Sequence, residues 1–233
     1  MNALFSTIAR DPAIIPGVHH HCDEWCDYCP VTGRCLAFRC LAEFRRQRGR
    51  PDAGVAFVNI EEAVAFTREL AAIEGMPTDE LDALAASPPG QSGVGTSDPL
   101  AAVAWDYAVR AAFFLQPIAQ TLATLRPVPG GPQPAEIVLW YHLRIYMVTF
   151  RALVERDRGG GCGDRLEQAT GCAKLALVSV QRSRAALQAL RSGGDEAEIQ
   201  GLIALLETLE RGVDERFPLA RGFVRVGLDC PVA

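Results

Sequence analysis

The sequence predicts an all-α protein: a helical bundle of four long helices with an N-terminal Cys/His-rich metal-binding region. Three observations predict it. Aromatic residues make up only 7% of the 233 residues while alanine and leucine are abundant, a balance that favours helix over sheet. From Asp98 onward apolar residues recur at three- and four-residue steps, over long stretches broken by glycine and proline, which is the period of a helix with one buried face. Five of the eight cysteines, Cys22, Cys26, Cys29, Cys35 and Cys40, fall within nineteen residues directly behind His19, His20 and His21.

The elements follow in order. Cys35 to Gln47 lacks proline and glycine and predicts a helix leaving the cysteine cluster, stopped by Gly49 and Pro51. Asn59 is a good N-cap, and Glu61 and Glu62 face the dipole of a helix running to Ile73. A short helix over Thr78–Ala86 and a flexible connector over residues 87–97 complete this half. The first long helix spans Pro99–Leu125, capped by Asp98 and kinked at Pro117. The second, Ala135–Asp157, is apolar nearly all round and is expected to be the most buried. The third, Asp164–Arg191, carries Leu166, Thr170, Ala173, Leu177, Val180 and Leu187 on one face. The fourth, Asp195–Arg216, repeats Ile199, Leu202, Ile203, Leu206, Val213 and Phe217 on one face. Short links make neighbours antiparallel. The tail offers only an extended stretch at residues 223–228. The resulting organisation is a metal-binding region over 1–50, short helices and a linker over 51–97, a four-helix bundle over 98–217 and a C-terminal tail over 218–233.

Net charge is −5, with 49% hydrophobic and 22% charged residues. This excludes a generic attraction to nucleic acid or an anionic membrane. The reading finds no apolar run approaching the roughly 18 residues of a membrane span and no secretory signal. Dense short-range cysteines without such a signal point to metal or redox chemistry in the cytoplasm rather than to disulfides.

The spacing Cys22-x3-Cys26-x2-Cys29-x5-Cys35 supplies four thiolates within fourteen residues, enough for a tetrahedral zinc or a 4Fe–4S cluster. Pro30 and Gly33 permit the turn that returns Cys35 to the others. Cys40, five residues further, faces another side of its helix and reads as a buried thiol.

Residues 26–36, CDYCPVTGRCL, resemble the cluster-binding segment of WhiB-like iron–sulfur proteins, C-x2-C-P-V-x3-C-L. They also resemble the C-x2-C-x5-C half of the iron–sulfur staple in AddB-type nucleases. The resemblance covers about eleven residues. It implies a 4Fe–4S cluster held by Cys26, Cys29 and Cys35, with Cys22 as the fourth ligand. Cys22, Cys26, Tyr28 and Cys29 also look like the C-x3-C-x-aromatic-C motif of radical S-adenosylmethionine enzymes. The chain lacks the alternating strands of that family's barrel, and Cys35 stands ready to close the fourth position. Zinc is the alternative metal, with one of His19, His20 or His21 replacing a cysteine.

His142 is the one histidine of the bundle, too few for a di-iron centre. With Arg144, Asp106, Tyr107 and Tyr146 it could line a polar pocket, but a hydrogen-bonded buried histidine is the stronger reading. Cys162 is expected to be exposed and Cys172 to be a core thiol. Arg45, Arg46, Arg48 and Arg50 end the helix leaving the cluster, either to offset its dipole or to dock an acidic protein partner. The leading functional expectation is an iron–sulfur protein with a redox, sensing or interaction role. Behind it stand a zinc-stabilised adaptor and, third, an enzyme built around His142.

Overall fold

The computed structural model describes residues 3–50, 57, 59–75, 98–118, 130–158, 163–191 and 195–230. Helices dominate them, with no strand among the described residues and one isolated bridge between Val226 and Cys230. The chain divides into two compact units, Met1–Ser92 with Arg225–Ala233, and Gly93–Val224. The expected helix over Thr78–Ala86, the connector at 87–97, the stretch after residue 118 and Cys162 lie outside the described residues.

The first unit contains α1 (Ala3–Ala9), α2 (Leu36–Gln47) and α3 (Ile60–Ile73), each packed on the other two. α3 starts as expected, with Asn59 Oδ1 accepting the Glu62 N–H at 2.9 Å. α1 was not anticipated. It exists to deliver Phe5, fully buried among Leu36, Cys40, Phe44 and Phe66. The Phe5, Phe44 and Phe57 rings lie 6.0, 5.3 and 5.4 Å from the Phe66 ring, within the range of favourable aromatic pairing. Cys40 sits in this core as a buried thiol, as its spacing predicted.

The arginine cluster ties α2 to α3. Arg48 pairs with Glu62 at 2.8 Å and stacks over Phe44, Arg50 also pairs with Glu62, and Arg46 forks onto Glu43. Much of its positive charge is therefore neutralised within the chain.

The second unit contains α4 (Pro99–Leu115), α5 (Pro134–Arg158), α6 (Gly163–Leu190) and α7 (Glu196–Arg216). α5 packs on α4 and α6, and α7 packs on the same two. Its buried layer includes Tyr107, Leu115, Tyr141, Ile145, Leu187 and Leu206. At Pro117 the chain tightens into a 3₁₀ turn, Gln116–Ile118, because proline cannot donate the next α-helical bond.

Three expectations need correction. The most buried helix is α6, not α5: Ala169, Ala173, Ala176, Ser179 and Ser183 let neighbouring backbones approach, whereas α5 exposes Trp140, Leu143 and Met147. Residue size, not hydrophobicity, decided the order. Leu166, assigned to the buried face of the third helix, is exposed. By length and composition alone α5 is apolar enough to cross a membrane, with a window of mean hydropathy 1.3, although no such run was expected.

Asp98 caps α4, accepting the Leu100 N–H at 2.8 Å, and also pairs with Arg216 at the end of α7. Burial alone would raise its carboxyl, but the Arg216 guanidinium and the backbone N–H groups outweigh it and hold it below the usual aspartate value. Asp98→Ala is expected to cost about 1–2 kcal/mol. Because the folded carboxyl is the more acidic, this contribution is present above the unfolded value of about 3.9 and lost as pH falls below it. Urea unfolding at pH 7 and at pH 3 should show the gap between the two proteins closing at the lower pH.

Candidate metal centre

The segment between α1 and α2 is built to hold a loop in place. Arg39 donates to Asp11 at 2.6 Å, Arg34 Nε donates to the Ala13 carbonyl at 3.0 Å, and the Ile15 N–H donates to the Arg34 carbonyl at 2.9 Å. These bonds fasten the chain before the histidines to Arg34 and Arg39 on either side of Cys35. Gly17, at φ +69°, makes the turn into His19–His21.

Each short cysteine gap then has a local cause. Glu24 takes the left-handed conformation, φ 55°, which costs a non-glycine residue about 1–2 kcal/mol and reverses the chain between Cys22 and Cys26. Trp25 is buried and meets Tyr28 edge to face at 5.0 Å. Cys26–Tyr28 is a 3₁₀ turn closed by Cys29, whose N–H donates to the Cys26 carbonyl. Thr32–Arg34 is a second 3₁₀ turn closed by Cys35. Cys35 is in turn the N-cap of α2. Its sulfur makes no conventional capping bond, yet the Phe38 and Ala37 N–H groups lie near enough to favour its thiolate, as the positive end of a helix does.

Cys22, Cys26, Cys29 and Cys35 all line one small cavity, walled by Trp25 and Phe38 among others. Its open space is about 20 Å³, enough for a single ion or water. No three of these sulfurs are within 4.8 Å of one another, whereas a zinc tetrahedron with 2.3 Å bonds sets sulfurs roughly 3.8 Å apart. Burial pushes the Cys22 thiol up to about 11 and the Cys26 thiol up to about 12, with neighbouring thiolates adding to both. Burial also raises Cys35, against the two amides. A metal entering this cavity must therefore displace protons. No disulfide joins the described cysteines.

The tail completes the wall, which the sequence did not signal. Leu228 lines the cavity and packs with Ile15, Val18 and Cys35. Arg225 and Asp229 lock the turn that carries it, at 2.7 Å. Gly227 sits at φ +73°, and a Cβ there would stand 3.1 Å from Ile15 and 3.2 Å from Val18.

The histidines divide. Among the described residues, one group of three His, Cys, Asp or Glu side chains brings its ligand atoms within 4.8 Å of one another: His19, His20 and Glu74. Each imidazole Nε2 lies 3.3 Å from one Glu74 oxygen. Burial alone would raise the Glu74 carboxyl, but the two histidines outweigh it and hold it down at about 2. Glu74 is the C-cap of α3, fifty-five residues from His19, and sequence spacing gave no hint of it. His19 lines the cysteine cavity as well, and its Nδ1 is buried without a hydrogen-bond partner. His21 is not in the group.

Elsewhere the predicted residues do not converge. His142 Nδ1 bonds the Leu139 carbonyl at 2.6 Å, the satisfied-histidine reading. Asp106 is exposed, Tyr107 is fully buried and Tyr146 stacks on Trp105 at 5.1 Å. Cys172 is a core thiol, raised by burial. Comparison with protein-family models, with curated proteins and with solved structures returns no match for this chain.

Proposed function

We propose that the chain is a metal-binding, cytoplasmic helical protein whose Cys22, Cys26, Cys29 and Cys35 hold a 4Fe–4S cluster serving a redox, sensing or interaction role. In this reading a four-helix bundle accompanies an N-terminal metal-binding region. The observation that carries it is that four thiols from fourteen residues, set by two successive 3₁₀ turns, line one cavity. The likeness of residues 26–36 to WhiB-like and AddB-type cluster segments favours iron–sulfur, and a cluster would need the cysteine loop to open beyond its ion-sized cavity. Cytoplasmic placement belongs to the same reading, since a thiolate centre needs reduced cysteines.

Zinc is the second reading, that of a metal-stabilised adaptor. It is favoured by the ion-sized open space and by the unpartnered His19 Nδ1 at the cavity wall, which suit a three-cysteine, one-histidine site. An acidic protein partner remains the proposed ligand of the arginine helix, but it would have to compete with Glu43 and Glu62. An enzymatic role around His142 has the least support, because no acid–base or nucleophile–base pair assembles there.

Anaerobic purification followed by iron, zinc and acid-labile sulfide analysis tests the reading. Iron and sulfide in equal amounts, with a brown colour bleached by dithionite, are expected. Zinc without sulfide would move the assignment to the second reading, and absence of both metals would overturn it.

A further inference from the structure

The histidine–glutamate group needs its own explanation. Glu74 is a carboxylate largely removed from solvent, 14% exposed, at the C-terminal end of α3. The helix dipole there is negative and disfavours an anion. Its hydrogen-bonding neighbours are two imidazoles. The site therefore gathers three side chains that can each offer an electron pair to a cation.

The distances point the same way. Both N···O separations are 3.3 Å, longer than the usual 2.9–3.0 Å of an N–H···O bond. One ligand atom from each of the three side chains lies within 4.8 Å of the other two, so small side-chain movements would bring them to the roughly 3.3–3.4 Å between donors of a tetrahedral zinc. The two Glu74 oxygens each face a different imidazole, and the rings meet edge to face at 4.6 Å. His20 is 39% exposed and leaves an approach from solvent.

We propose that His19 Nε2, His20 Nε2 and the Glu74 carboxylate form a mononuclear divalent-cation site, separate from whatever the cysteines bind. Two imidazoles and one carboxylate suit zinc or ferrous iron, and water would fill the open coordination positions. The site joins the loop before the cysteines to the end of α3.

Cobalt(II) is the probe, added to the full-length protein as purified. Thiolate ligation gives cobalt an intense ultraviolet sulfur-to-metal charge-transfer band, whereas imidazole and carboxylate ligation gives only weak visible bands. The expected result is one cobalt per chain taken up with visible bands and no added charge transfer. Glu74→Gln and His20→Ala should each weaken that uptake by at least about tenfold, while iron, zinc and sulfide bound at the cysteines stay unchanged. Glu74→Gln separates a built site from the casual affinity of adjacent histidines, which does not need the carboxylate. His20→Ala, on a partly exposed side chain, serves if the glutamine variant folds poorly. Equal uptake by wild type and both variants would overturn the proposal. So would histidine-dependent uptake carrying the charge-transfer band, since the histidines would then belong to the cysteine centre. A protein with empty cysteines that still shows the Glu74-dependent visible bands would refute the cysteine reading and leave this site standing.

Discussion

Replacing Cys29 with serine is expected to abolish stoichiometric metal binding at the cysteines. Cys29 closes the first 3₁₀ turn and lines the cavity with three other thiols, and a serine hydroxyl is a poor ligand for a soft or borderline centre. Cys26→Ser should do the same. Loss should extend to the fold, because Cys35 is both a cavity wall and the N-cap of α2, so chelation should reduce the helical signal of the first unit. Cys40→Ser supplies the contrast. Its thiol lies among Phe5, Phe44 and Phe66, so a hydroxyl there costs about 1–3 kcal/mol of stability as a buried polar group while metal content is retained. Elemental analysis and thermal unfolding of the three variants separate ligand from core. Full occupancy of sulfur-ligated metal in Cys29→Ser would remove it from the ligand set.

A fragment of residues 98–224 is expected to stay helical and unfold cooperatively without metal. Within it α4 to α7 bury a continuous apolar layer around Tyr141, Ile145, Leu187, Ile199 and Leu206. Caps at Asp98 and Asp195 satisfy two helix starts, and ion pairs of Arg110 with Glu198 and of Arg184 with Glu210 link its helices. Circular dichroism and urea titration would show a single transition with the same midpoint with and without chelator. A fragment that is unfolded or aggregated would mean that the two units share one cooperative core.

What could be read from sequence divides along the range of the interactions. Asn59 and Asp98 announced helix starts because a cap acts over three residues. The cysteine spacing announced a common wall because the turns between cysteines are equally local. Glu74 was invisible, since what matters about it is its placement beside His19 and His20, fifty-five and fifty-four positions away. The tail was missed for the same reason: Leu228 reaches Ile15 and Val18 from the far end of the chain, and no local pattern encodes that. The order of burial in α5 and α6 was misjudged because apolar character was weighed above the small side chains that let helices approach. The arginines were legible as charge but not as partners of Glu43 and Glu62.

The central claim is that Cys22, Cys26, Cys29 and Cys35 together hold a metal centre. X-ray absorption at the edge of the metal found in anaerobically purified protein reads its ligand shell directly. The account predicts a shell of sulfur scatterers near 2.3 Å, accompanied by an iron–iron distance if the centre is a cluster, and loss of that shell in Cys29→Ser. A first shell of nitrogen and oxygen alone at every metal edge found would contradict it.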